Sequence, residues 1–243
     1  MSTLRFSREV SDVTDTLQLR RPYFCSWSGG KDCCLAFELA KEAGALPSAL
    51  FTVMDETGVR SHSHGMTLSS LQLQAETLGV PLIVRHASWA GYEDAFGDGL
   101  AELKAMGIAD GVFGDMRVAA HPEWVSHREW VEHVCGAAGV VAHLPLWEMG
   151  GDAVLASQLG HGIRAVIVTT RDEMLSQTFL GRTLDEACIE ELRAAGCDPT
   201  GEGGELHTVV TSTPSFAVPL RLVPGGIVQV EGCHVLSVQL ERG

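Results

Sequence analysis

Residues Ser26-Trp27-Ser28-Gly29-Gly30-Lys31-Asp32-Cys33 set a hydroxyl, a glycine pair, a lysine and an aspartate where an apolar run gives way to a helical pattern. A glycine pair lets backbone N–H groups turn toward one point, and a helix N-terminus adds partial positive charge. Ser28 supplies a hydroxyl and Lys31 a mobile cation, so the stretch reads as an anion cradle suited to pyrophosphate. It is not a Walker A loop. Cys25 stands where that motif needs its first Gly, and Asp32 stands where it needs Ser or Thr. Nor is it a G-x-G-x-x-G dinucleotide fingerprint.

The surrounding pattern says what must position this loop. Tyr23–Trp27, Ala49–Met54, Leu82–Arg85, Gly111–Phe113, Val140–His143 and Ala165–Thr169 read as strands. They alternate with helical patterns at Asp32–Ala43, Thr67–Leu78, Tyr92–Met106, Trp124–Ala138 and Ala153–Gly160. Such alternation predicts right-handed βαβ crossovers and a Rossmann-like, doubly wound parallel sheet of the α/β class. Thr67 suits an N-cap, Leu68, Leu71, Ala75 and Leu78 recur at helical steps, and Gly79 with Pro81 ends the helix.

The pattern changes after about residue 145. Leu184–Ala195 reads as a helix, then Gly201–Gly204 as a turn. Thr208–Thr211, Phe216–Leu222, Ile227–Val230 and Val235–Leu240 read as strands parted by Pro or Gly. The expected organisation is a flexible tail over 1–20, an α/β unit over 21–145 and a smaller α+β unit over 146–243.

Composition narrows the function. At 243 residues, 45% hydrophobic and 20% charged, the chain is globular. Its 17 basic and 31 acidic residues sum to −14, a field that repels phosphate backbones and anionic lipid. Nucleic acid is therefore an unfavoured partner. No apolar run approaches the ~18 residues of a membrane span, and Met1–Arg20 lacks the apolar core of a secretory signal. The seven cysteines form no C-x-x-C pair, which argues against a zinc ribbon or disulfide framework. They read as buried, reduced thiols of a cytoplasmic protein. His62-x-His64 reads as a loop pair near the anion cradle rather than a metal pair. Trp124, Trp130 and Trp147 read as packing residues, and His121, His127 and His133 do not share one helix face.

The loop resembles the S-G-G-K-D-S loop of the N-type ATP pyrophosphatases, the adenine nucleotide alpha-hydrolase-like superfamily. Cys33 stands where that loop has Ser. Further segments resemble one branch: Gln74-Ala-Glu-Thr-Leu-Gly-Val-Pro-Leu82, Gly111-Val-Phe-Gly-Asp115, His127-Arg-Glu-Trp130, Leu144-Pro-Leu-Trp147 and Gly201-Glu-Gly-Gly-Glu205. In that order they are similar to the diphthine–ammonia ligase family and its short bacterial-type relatives. The departures are Leu206-His207-Thr208, where the family has an aromatic then Glu-Thr, and Thr200, where many members have Cys.

The resemblance implies an AMP-forming amide ligase that uses ATP, Mg²⁺ and free ammonia. A carboxylate, either diphthine on elongation factor 2 or a small acid, is the implied acceptor. The first unit becomes the ATP-binding pyrophosphatase domain and the second the substrate-binding domain. Ser28, Gly29, Gly30, Lys31, Asp32 and Cys33 would hold phosphates. Phe51, Thr52 and Val53 would lie beside the adenine, with Gly114 in the same crevice. Lys31, Asp32, Asp115, Glu202 and Glu205 are the implied catalytic residues, and Gly203, Gly204, Arg128 and His207 the implied acceptor contacts. No protein metal-ligand set is expected. Arg117, Arg128 and Arg164 are the cations best placed by motif to meet an anion. Two other readings share the loop: a tRNA-modifying or thiolation-type ATP pyrophosphatase, which predicts salt-sensitive RNA binding, and a non-catalytic adenine-nucleotide-binding protein, which predicts binding without turnover. The apolar, Gly-rich C-terminal strands offer an edge through which a homodimer could pair.

Overall fold

The computed structural model describes residues 21–62, 64–117 and 125–243. The expected tail at 1–20, with His121 and Trp124, lies outside the described residues. Five strands, β1 (Pro22–Ser26), β2 (Leu46–Met54), β3 (Leu82–His86), β4 (Asp110–Val112) and β5 (Val141–His143), form a parallel sheet in the order β3-β2-β1-β4-β5. Helices α1 (Lys31–Glu42), α2 (Leu68–Leu78), α3 (Tyr92–Ala105) and α4 (Val125–Ala138) make the crossovers.

The period-2 alternation of β1 shows how both faces are covered. Tyr23 and Cys25 enter a core with Leu35, Phe37 and Leu39 of α1 and Leu71 and Ala75 of α2. Phe24 points the other way, among Phe96 and Leu100 of α3 and Val131 and Val134 of α4. The strand order reverses between β1 and β4, and the crevice at their carboxyl ends is where such sheets bind ligands. α2 ends as its sequence dictates. Thr67 Oγ1 accepts the Ser70 N–H at 3.3 Å, and Gly79 takes the left-handed conformation at φ 73°.

The remaining strands form a separate antiparallel sheet, β7-β6-β9-β8. They are β6 (Arg164–Arg171), β7 (Leu206–Ser212), β8 (Leu220–Val230) and β9 (Cys233–Arg242). α5 (Gly151–Gly160) precedes this sheet, and α6 (Glu186–Ala194) packs Cys188, Ile189 and Leu192 against Ile167 and Leu206. Val168, Val209 and Val210 face the α1–α2 core instead. The second sheet is thus seated on α2 and on α1, the helix that opens at the Ser28–Lys31 loop.

Two expectations are corrected. Ala165–Thr169 reads as the last member of the parallel alternation, yet it lies in β6, which pairs antiparallel with β7 and β9. A short, wholly buried apolar run has the same pattern in either kind of sheet. Phe216–Leu222 and Ile227–Val230 read as two strands, yet one strand, β8, runs through Pro224-Gly225-Gly226 with a register shift. Glycines that look like a terminator serve here as a bulge. All seven cysteines are free, six of them buried. Among the described residues no helix is long and apolar enough to cross a membrane.

Candidate active site

The β1–α1 loop opens into a cavity of about 400 Å³, within the size range of small-ligand sites. Its walls come from both sheets. The parallel unit supplies Ser28, Lys31, Asp32, Cys33, Gly114 and Asp115, and the second unit supplies Thr200, Glu202, Gly204, His207 and Thr208.

Two glycines are required by close approach rather than by a turn. A Cβ on Gly30 would lie 2.4 Å from His64 Cε1. A Cβ on Gly114 would lie 2.5 Å from Cys33 N and 2.6 Å from the Asp32 carbonyl carbon. The end of β4 therefore lies directly against the first turn of α1, and His64 covers the loop.

Lys31 is buried, and its Nζ donates to Asp32 Oδ2 at 2.7 Å and to the Thr200 carbonyl at 2.5 Å. Asp32 Oδ1 accepts from Gln158 Nε2 of α5 at 2.8 Å. Both carboxylate oxygens are thus directed, and the ammonium is held at the junction of the two units. The Lys31 N–H donates to Thr208 Oγ1 at 3.2 Å. Ser28 Oγ donates to Cys33 Sγ at 3.4 Å, and Cys33 Sγ donates to the Gly30 carbonyl at 3.2 Å. Burial pushes the Cys33 thiol up, so it stays protonated.

Electrostatics separate the titratable groups. Burial and the Asp32 carboxylate push Glu202 up to about 8, against an opposing pull from Lys31. Burial pushes His207 down to about 3, helped by neighbouring His64 and Lys31. His64 is also lowered by burial. The His64 and His207 rings lie 4.7 Å apart, and His64 Nδ1 donates to the Thr208 carbonyl at 2.9 Å. His127 is raised by its 2.8 Å contact with Asp115. One wall thus carries neutral imidazoles, and Asp115 meets a basic one.

A smaller cavity adjoins, lined in part by Ser28, Phe51, Thr52, Val53 and Tyr92. Phe51 is itself fully buried against Phe24 and Phe96. Of the remaining expected residues, Glu205 is buried beside Gly203 and does not line the larger cavity. Its Oε2 meets no hydrogen-bond partner among the described residues. Arg128 pairs with Glu132 at 2.7 Å and lies over the Trp147 ring, so it is directed away from the cavity. Arg117 pairs with Glu148, and Arg164 is exposed on β6. His62 donates to the Ala87 carbonyl and packs on Trp89, while His64 reaches the loop.

Sequence reasoning missed Arg171, Tyr92, Thr200 and Thr208 as wall residues, named His127 only within a motif and as sharing no helix face with its neighbouring histidines, and read Trp130 as packing. Arg171 closes β6, and its Nε donates to the Gly204 carbonyl at 3.1 Å. Only strand pairing brings it to the cavity, so no local motif announces it.

Two family models match. The diphthamide synthase N-terminal domain matches residues 23–142, and the diphthamide synthase C-terminal domain matches 153–232. No curated protein matches the chain. A matching solved structure is described as a predicted subunit of tRNA methyltransferase from Methanocaldococcus jannaschii. It is 17% identical, with a TM-score of 0.43, and the match covers 79% of this chain and 98% of that one. Every residue lining the larger cavity falls within one of the two family matches. The chain belongs to the diphthamide synthase family, the diphthine–ammonia ligases.

Proposed function

We propose that the chain is an ATP-dependent amide ligase. A substrate carboxylate oxygen attacks the α-phosphate of ATP, pyrophosphate leaves, and ammonia displaces AMP from the acyl-adenylate. The observation that carries this reading is the loop Ser28–Cys33, opening beside Gly114 onto a cavity that the second sheet closes. Phosphoryl and nucleotidyl chemistry needs positioning and charge neutralisation more than covalent help. Ser28, Gly29, Gly30 and Cys33 cradle phosphate oxygens, and Lys31 offsets the charge of the departing pyrophosphate. Phe51, Thr52 and Val53 flank the adenine in the smaller cavity.

The charge balance supports the same reading. Lys31 and Arg171 face Asp32, Asp115 and Glu202 in the cavity. Among the described residues no three or more His, Cys, Asp or Glu side chains gather where they could hold a metal ion. Asp32 and Asp115 are the carboxylates that would hold Mg²⁺ brought with the nucleotide, and the ion would supply charge neutralisation. Glu202, raised to about 8, holds its proton through neutrality, and only its ionised form would accept the proton that ammonia sheds as it attacks. His207, Gly203 and Gly204 lie on the acceptor side, and buried Glu205 supports that turn.

The test incubates the protein with ATP, Mg²⁺ and ammonium, with and without cell extract as acceptor source, and reads products by phosphorus NMR. AMP and pyrophosphate are expected, and Lys31→Ala abolishes them. ADP and phosphate would overturn the reaction. Intact ATP with measurable binding would instead favour a non-catalytic nucleotide-binding protein.

A further inference from the structure

We propose that Gln74 is a positioning residue that sets the geometry of the phosphate-binding loop by tying it to strand β7 of the second unit. The inference rests on the reading of Ser28–Cys33 as a nucleotide loop. Gln74 lies in α2, is fully buried, and lines neither cavity itself. Its amide is spent in three directions. Oε1 accepts the Trp27 indole Nε1–H at 2.9 Å. Nε2 donates to the Gly29 carbonyl at 3.2 Å and to the Val210 carbonyl at 2.8 Å. Gly29 accepts a second bond, from the Val210 N–H at 2.9 Å.

One side chain thus joins the residue before Ser28, the residue after it, and the strand that also carries Thr208. Gly29 must be glycine on two counts. Its φ is +83°, and a Cβ would lie 2.8 Å from Gln74 Oε1. The amide needs both its acceptor and its donors. A carboxylate at this position would set an oxygen against two carbonyls, and an apolar side chain would leave the indole without its acceptor and take one donor from each carbonyl.

Gln74→Glu and Gln74→Met test this by calorimetric titration with ATP and Mg²⁺, beside thermal melts. The expected result is cooperative melting with ATP binding weakened by about tenfold or more, since buried groups at the loop lose their partners. A purely structural glutamine would lower the melting temperature and leave affinity within about twofold. That result overturns the proposal. If neither variant folds, the Trp27 indole N–H resonance of the parent protein, assigned with Trp27→Phe, decides. Saturation with ATP is expected to move it, and an unmoved resonance overturns the proposal. A parent protein that binds no ATP sinks the loop reading and this inference with it. A parent that binds, with variants that bind equally, sinks this inference alone.

Discussion

Gly114→Ala places one methyl group where the end of β4 meets the first turn of α1. The new Cβ would lie 2.5 Å from Cys33 N, 2.6 Å from the Asp32 carbonyl carbon and 2.8 Å from Cys33 Cα. All three are backbone atoms, so no side chain can swing aside. Ordinary contact begins at 3.4 Å, and the two segments must part by about 1 Å. Overpacking of this kind costs roughly 1–3 kcal/mol. In a chain of this size that lowers the melting temperature by roughly 2–12 °C. The functional effect is larger, because the displaced atoms are backbone of the proposed phosphate cradle. A misplacement of about 1 Å costs up to roughly 10²-fold in rate. Calorimetric melts and titration with a non-cleavable α,β-methylene ATP are the assays, with AMP release as the kinetic readout. Gly97→Ala in α3 is the control. Its Cβ meets nothing within 4 Å, and it raises stability by about 0.4–1 kcal/mol through helix propensity and a less flexible unfolded chain. Gly114→Ala melting within about 1 °C of the parent and binding nucleotide equally would refute the close-approach argument.

Glu202 in the folded protein holds its proton up to about pH 8, well above the ordinary carboxylate range, so the folded state binds the extra proton between those limits. Its favourable contribution is present below the unfolded pKa and is lost as pH rises through about 8; Glu202→Gln melts higher than the parent at pH 8.5 and equally at pH 4, and a constant offset across that range sinks the assignment. Asp185 caps α6 by accepting the Cys188 N–H at 2.8 Å; Asp185→Ala costs about 1 kcal/mol by urea titration, while Asp185→Asn stays within a few tenths, and equal losses would remove the cap from the account.

The readability of the sequence followed the range of the interactions. α2 was legible from its ends inward, because Thr67, the apolar spacing and Gly79 all act within one helix. The turn from β1 into α1 was legible for the same reason: strand, glycine pair and helix start are adjacent in the chain. β6 was legible as a strand but not as a member of its sheet, since a buried run does not name its partner. Thr208 and Arg171 were silent in the sequence as wall residues. Thr208 reaches Lys31 across 177 positions, and Arg171 enters the cavity only because β6 pairs with β7. Arg128 misled for the opposite reason. It belongs to a motif-bearing helix, yet Glu132, one turn on, claims it.

The seating of β7 on the anion loop bears on how such a site can be inherited or borrowed. A strand–loop–helix segment carrying Ser28 to Cys33 is compact enough to be moved between proteins as a unit. Moved alone, it would bring its glycines and its lysine but leave behind Thr208, Val210 and the Thr200 carbonyl, which answer three of its polar groups. The loop is therefore not a portable cassette. Its smallest transferable form includes a strand from the far end of the chain, so recombination that splits the two sheets separates the motif from the contacts that shape it.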